Sequence, residues 1–123
     1  MYTYYLTEND MLETNHFPII ALFNEALNTN IIEFYQNLCK GIGSGYNYSN
    51  CYFWDELDEY DQAHTSQFQG VCVETEDDAP IIVPYLQMLS YMKLASKRYH
   101  EKQHENEKIL TDLIDRFKKK YLS

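Results

Sequence analysis

Basic residues are almost missing from the first three quarters of this chain. Between positions 1 and 92 the only lysine or arginine is Lys40, set against fourteen aspartates and glutamates. The other nine bases fall in residues 93–123 beside five acids, so a −13 body is joined to a +4 tail and the total is −9. A field of that sign repels nucleic acid and anionic membrane and attracts cationic surfaces. Cysteine is scarce as well. Cys39, Cys51 and Cys72 are odd in number and have no CxxC spacing, which excludes a disulfide scaffold or a cysteine zinc site and fits free thiols in a reducing cytoplasm. No apolar run approaches the roughly 20 residues that span a bilayer. Residues 1–10 lack the basic and apolar regions of a secretory signal. The stretch GIGSGYNYSN (41–50) contains GxG but neither GxGxxG nor a phosphate-loop lysine, so nucleotide binding is not expected.

What is present suits one globular domain over residues 1–123, with 45% hydrophobic residues to build a core. The tyrosine-rich opening, residues 1–11, has no clear period and reads as a short strand or extended arm. Helical spacing begins at Phe17, with Ile19, Ile20, Phe23, Ala26 and Leu27 on one face and Asn15 and Pro18 as start signals. A second helix follows, capped by Asn30 with Glu33 three residues on, striped by Ile31, Ile32, Tyr35, Leu38 and Cys39, and ended by Gly41. Residues 41–50 read as a loop. Cys51–Trp54, Phe68–Glu74 and Ile81–Val83 have the β-branched and aromatic content of short antiparallel strands. Pro84 suits the first position of a long helix whose seam is Tyr85, Leu89, Met92, Ser96 and Tyr99. After a polar stretch, Leu110, Leu113, Ile114, Phe117 and Tyr121 mark a last helix, with Lys118–Lys120 near its end to complement the helix dipole. Segregated strands and helices imply an α+β fold, a small antiparallel sheet of about three strands packed against about four helices.

One segment has the form of a metal site. His100-Glu101-Lys102-Gln103-His104 is a literal HExxH, which on a buried helix holds zinc through two histidines one turn apart. Here the flanks Lys97, Arg98 and Glu105 are polar, no histidine follows His104, and no later glutamate can serve as a third ligand. A solvated helix end accounts for the same residues, so no metal, cofactor or catalytic residue is assigned. His16 and His64 stand in polar surroundings, and no serine lies in a nucleophile-elbow context.

The densest constellation is acidic. WDELDEYD (54–61) interleaves Asp55, Glu56, Asp58, Glu59 and Asp61 with Trp54, Leu57 and Tyr60, and Glu74, Glu76, Asp77 and Asp78 follow; from Asp55 to Asp78 there are nine acids and no base. Carboxylates steer a cationic partner and aromatics anchor it. The competing account is an ordinary charged loop that keeps the protein soluble, with Trp54 and Tyr60 in the core. The expected binding residues are therefore Trp54, Asp55, Glu56, Asp58, Glu59, Tyr60, Asp61, Glu74, Glu76, Asp77 and Asp78.

The order of segments resembles a family. CKGIGSGYNYSNC, WDELDEYD, FQGVCVETED and IIVPYLQMLSYMKLASKRYHEK together are similar to the immunity proteins of bacterial contact-dependent growth inhibition systems, specifically those that neutralise ribonuclease toxins. The similarity runs from about residue 17 to 121, with Pro84 where a serine-like cap is the family's habit. It implies a non-catalytic cytoplasmic protein that binds a cognate toxin domain, a basic ribonuclease, and blocks its RNA-cleaving site. A generic acidic interaction module and a small zinc hydrolase using HEKQH are the alternatives. Replacing His100 and His104 together is expected to leave partner inhibition intact. One tightly held zinc equivalent in metal-replete protein, or loss of activity in the double variant, would establish the hydrolase instead.

Overall fold

The computed structural model describes residues 2–123, so position 1 of the opening segment lies outside the described residues. The fold is α+β. Helices α1 (Phe17–Leu27) and α2 (Ile31–Lys40) precede strands β1 (Ser44–Gly45) and β2 (Ser49–Tyr52). Helix α3 (Glu59–His64), strands β3 (Val71–Thr75) and β4 (Ile81–Val83), and helices α4 (Tyr85–Lys102) and α5 (Glu107–Leu122) complete it. The sheet is an antiparallel meander of four strands, in the order β1-β2-β3-β4.

The fourth strand, β1, comes from the stretch read as a loop. Two residues are too few to show a period in sequence, and pairing of Ser44 with Cys51 is what makes them a strand. The fifth helix, α3, was also unexpected: EYDQAH has no apolar stripe and starts because the Asp58 carboxylate accepts the Asp61 N–H at 2.8 Å. The central strands are displaced from their expected bounds, β2 ending at Tyr52 before a 3-10 turn at Trp54–Glu56, and β3 running to Thr75. Helix α1 is capped at His16 rather than Asn15. Pro84 takes the cap position of α4, so that helix begins one residue later than a proline at its first turn implies.

Helix α1 lies on the inner face of β2 and β3, and α5 packs against both α2 and α4. Phe23 of α1 is the aromatic hub, with ring centroids 5.2 Å from Phe34, 6.5 Å from Tyr35 and 6.1 Å from Tyr91. Tyr35 is fully buried, and its hydroxyl donates to the Met92 carbonyl at 2.7 Å while accepting from Ser96 at 3.1 Å. Helix α2 ends as its sequence directs, with the Asn30 side chain accepting from Glu33 N–H and Gly41 left-handed at φ +72°. Its last carbonyls are then capped from α5: Lys120 Nζ donates to Cys39 O at 2.9 Å and the Tyr121 hydroxyl to Leu38 O at 3.0 Å. The edge strand β4 lies between Pro80 and Pro84, and neither proline offers an N–H to a further strand. No helix among the described residues is long and apolar enough to cross a membrane.

Residues 2–16 wrap the helical side. Arg98 of α4 grips Asp10 through both guanidinium nitrogens, at 2.8 and 3.2 Å. Burial works against the Asp10 carboxylate, but the Arg98 and Thr7 hydrogen bonds outweigh it and hold its pKa below the usual value. His16 is buried, its Nδ1 2.6 Å from the Tyr91 hydroxyl, which itself accepts the Leu12 N–H at 2.8 Å. In the tautomer that gives every proton a partner, Tyr91 donates to an unprotonated Nδ1 and the imidazole proton is on Nε2, facing Glu13 at 3.5 Å. Burial lowers the His16 pKa, and the Glu13 carboxylate pulls it the other way.

Two predictions follow from this packing. Gly70 has φ +131°, and a Cβ there would lie 2.5 Å from Val83 O, whereas one at Gly45 meets nothing nearer than Asn50 Cβ at 3.9 Å. Gly70→Ala should therefore cost about 2 kcal/mol or more in urea unfolding, and Gly45→Ala less than about 0.5 kcal/mol. The unfolded chain protonates His16 more readily than the native one does. The stability held there is complete above the ordinary value of 6.5 and is lost as pH falls toward and through the lower folded value. Urea midpoints should fall between about pH 7.5 and pH 5.5, and His16→Gln should flatten that slope while lowering the midpoint throughout.

Candidate protein-binding surface

The outer face of the sheet follows from strand alternation. Val71 and Val73 point into the core, so Cys72 and Glu74 point away, with Tyr52 and Ile82 registered on either side of Cys72. Phe68 leans on this row, its ring 6.2 Å from Tyr52, and Trp54 meets Phe68 edge to face at 5.7 Å. Trp54 is half-buried here, not in the central core, and its carbonyl accepts from Gln62 Nε2 of α3 at 3.2 Å. Tyr60 is 69% exposed and stacks on His64 with ring centroids 4.1 Å apart. Cys72 is buried under this aromatic cover, whereas Cys39 and Cys51 belong to the core; burial raises the pKa of all three thiols.

The acidic residues divide by what their oxygens do. Glu56 Oε1 accepts two backbone N–H groups, from Gly43 at 2.8 Å and Phe53 at 2.9 Å, tying the 3-10 turn to the segment before β1. Asp58 caps α3. Asp78 accepts from Thr75 Oγ1 at 2.7 Å, and Asp77 accepts from the Tyr48 hydroxyl at 3.1 Å, so both shape the turn after β3. Asp55, Glu59, Asp61, Glu74 and Glu76 have no side-chain hydrogen bond among the described residues. None of the eleven expected binding residues is in an ion pair among the described residues.

These groups form a band rather than a single knot. Asp61 and Glu74 both act electrostatically on Tyr52. The Tyr52 pKa is pushed far up, first by its contact with the Cys72 thiol, then by burial and by those two carboxylates. Glu76, Asp77 and Asp78 stand at the other end of β3, with Glu76 about 13 Å of strand from Cys72. Tyr52, Phe68 and Ile82 were not among the expected residues. For Ile82 the available signal is alternation on a strand whose second face is also apolar; Phe68 precedes β3, and Tyr52 joins the row only through its register opposite Cys72.

The HEKQH segment does not form a zinc-protease helix. Helix α4 ends at Lys102 and Gln103 is extended at φ −138°, ψ 113°, so His100 and His104 do not share a helical turn. His100 Nδ1 lies 3.3 Å from the Gln103 carbonyl. No group of three metal-capable side chains occurs among the described residues.

A family profile described as CDI immunity protein, for contact-dependent growth inhibition, matches residues 2–114, from the extended arm into α5. Among curated proteins none matches the chain. Because Asp58 is a cap, Asp58→Ala should destabilise the protein by about 1 kcal/mol. The unpartnered Glu59→Ala should stay within about 0.5 kcal/mol of wild type in urea unfolding.

Proposed function

The chain belongs to the CDI immunity protein family, and on that premise we propose that it neutralises a cognate ribonuclease toxin in the cytoplasm by laying its acidic band over the toxin's RNA-binding cleft. Membership makes it an immunity protein against a toxin of contact-dependent growth inhibition. The ribonuclease, the cleft and the band are the proposal. The observation that carries it is the set of carboxylates, from Asp55 to Glu76, that no cation pairs with among the described residues, beside half-exposed aromatics. An enzyme that cleaves RNA must present cations to a polyanion, and carboxylates held on a sheet and short helix reproduce that charge without being cleavable. The role is binding alone, and no side chain is asked to do chemistry.

Steering charges act mainly on association, so the test separates rates. Reversing Asp55, Glu59 and Asp61 together to lysine spares the caps at Glu56 and Asp58. Association with a catalytically inactive cognate toxin domain should slow about tenfold or more at low salt and depend less on salt. Wild-type association kinetics in that variant would place the toxin elsewhere on the protein.

A further inference from the structure

An apolar opening lies between the N-terminal arm and α1, beside one end of the acidic band. It is a groove of about 560 Å³ whose walls include Tyr2, Tyr4, Phe17 and Ile20 and whose rim carries Glu8 and Glu25. The arm is locked in place. Leu6 N–H donates to Asn24 Oδ1 and Asn24 Nδ2 returns a bond to Leu6 O, both at 2.9 Å. One turn on, Asn28 repeats this clamp with Thr3, at 2.9 and 2.7 Å. Arg98 adds a bond to Tyr5 O at 3.0 Å, and the Tyr5 ring is buried against Tyr99. Because the arm is extended, clamping Tyr5 inward leaves Tyr2 and Tyr4 on the groove side.

Extended segments outside helices and sheets are ordinarily mobile, and exposed aromatics on them gain nothing from the fold. Here the clamps hold 74%-exposed Tyr4 and 45%-exposed Tyr2 beside 37%-exposed Phe17, which α1 itself fixes. Rigid aromatics around a preformed apolar groove are what a binding anchor requires, since their ordering cost is met before the partner arrives. The rim has a sign. Neither Glu8 nor Glu25 is in an ion pair among the described residues, and both Glu25 oxygens accept bonds from Tyr48 N–H and the Ser49 hydroxyl, which fixes that charge beside Tyr2. The groove also continues into the acidic band: Tyr48 lines it and donates to Asp77. We infer that this groove is the apolar half of the toxin-binding surface, and that it receives a segment of the toxin carrying an aliphatic or aromatic side chain beside a lysine or arginine. The inference rests on the toxin-binding reading above.

An apolar anchor acts on dissociation where a steering charge acts on association, so the two halves separate in kinetics. Tyr4→Ala with Phe17→Ala in the full chain should raise the dissociation rate of the inactive toxin domain about tenfold or more. Association should change less than about twofold, with its salt slope kept. Asn28→Ala, which frees the arm and keeps every groove aromatic, should move dissociation the same way, and the urea midpoint of the Tyr4→Ala single variant should match wild type. If dissociation is unchanged while the charge-reversed protein associates slowly, the groove inference falls and the toxin reading stands. If wild type fails to bind the toxin domain encoded beside it, both fall. A dimer in sedimentation that Tyr4→Ala with Phe17→Ala turns to monomer would assign the groove to a second copy and overturn the inference.

Discussion

Residues 1–92 contain fourteen carboxylates and one cation, Lys40, which is exposed at the end of α2. Those carboxylates have almost no opposite charge near them in sequence, so they satisfy their oxygens with neutral donors. Glu25 takes Tyr48 N–H and the Ser49 hydroxyl, joining α1 to the sheet. Glu56 takes two backbone N–H groups, Asp58 starts α3, and Asp78 closes a turn with Thr75. Of these carboxylates Asp10 alone, among the described residues, reaches a cation of the basic tail, Arg98, tying the N-terminal arm to α4. Carboxylates with donors fix the backbone, and those without donors are the ones the proposed function assigns to a partner.

That division explains which parts of the fold were legible. Helices α1 and α2 were readable because the apolar spacing and the end signals agree, as at Asn30 and Gly41. Strand β4 was readable for the same reason, as IIV between two prolines. Strand β1 and helix α3 were not, because neither has a periodic apolar set. One exists through its pairing with β2, and the other through the Asp58 cap and the Gln62 bond to Trp54 O. The acidic band was visible as a run of like charges, but sequence gave no means of separating capping carboxylates from free ones. The groove was hidden because its locks, Asn24 and Asn28, read as weak helix formers; asparagines four apart on one face were the available clue.

On the proposed reading, the two surfaces divide the work of recognition by physical kind. Free carboxylates act at a distance, limited by screening to about 10 Å in ordinary salt, and bring a cationic surface into register. The clamped aromatics act only on contact and hold what has arrived. A protein that must meet a toxin before RNA does needs the first property, and one that must stay bound needs the second.

The central claim is that this chain stops a ribonuclease by covering the surface its RNA substrate would occupy. The direct measurement is RNA cleavage by the cognate toxin domain as this chain is titrated in. The account predicts that cleavage falls in proportion to added chain and ends at one equivalent, with competition from RNA at low salt. Cleavage that persists with the chain in excess, or a cognate toxin domain that does not cleave RNA, would contradict it.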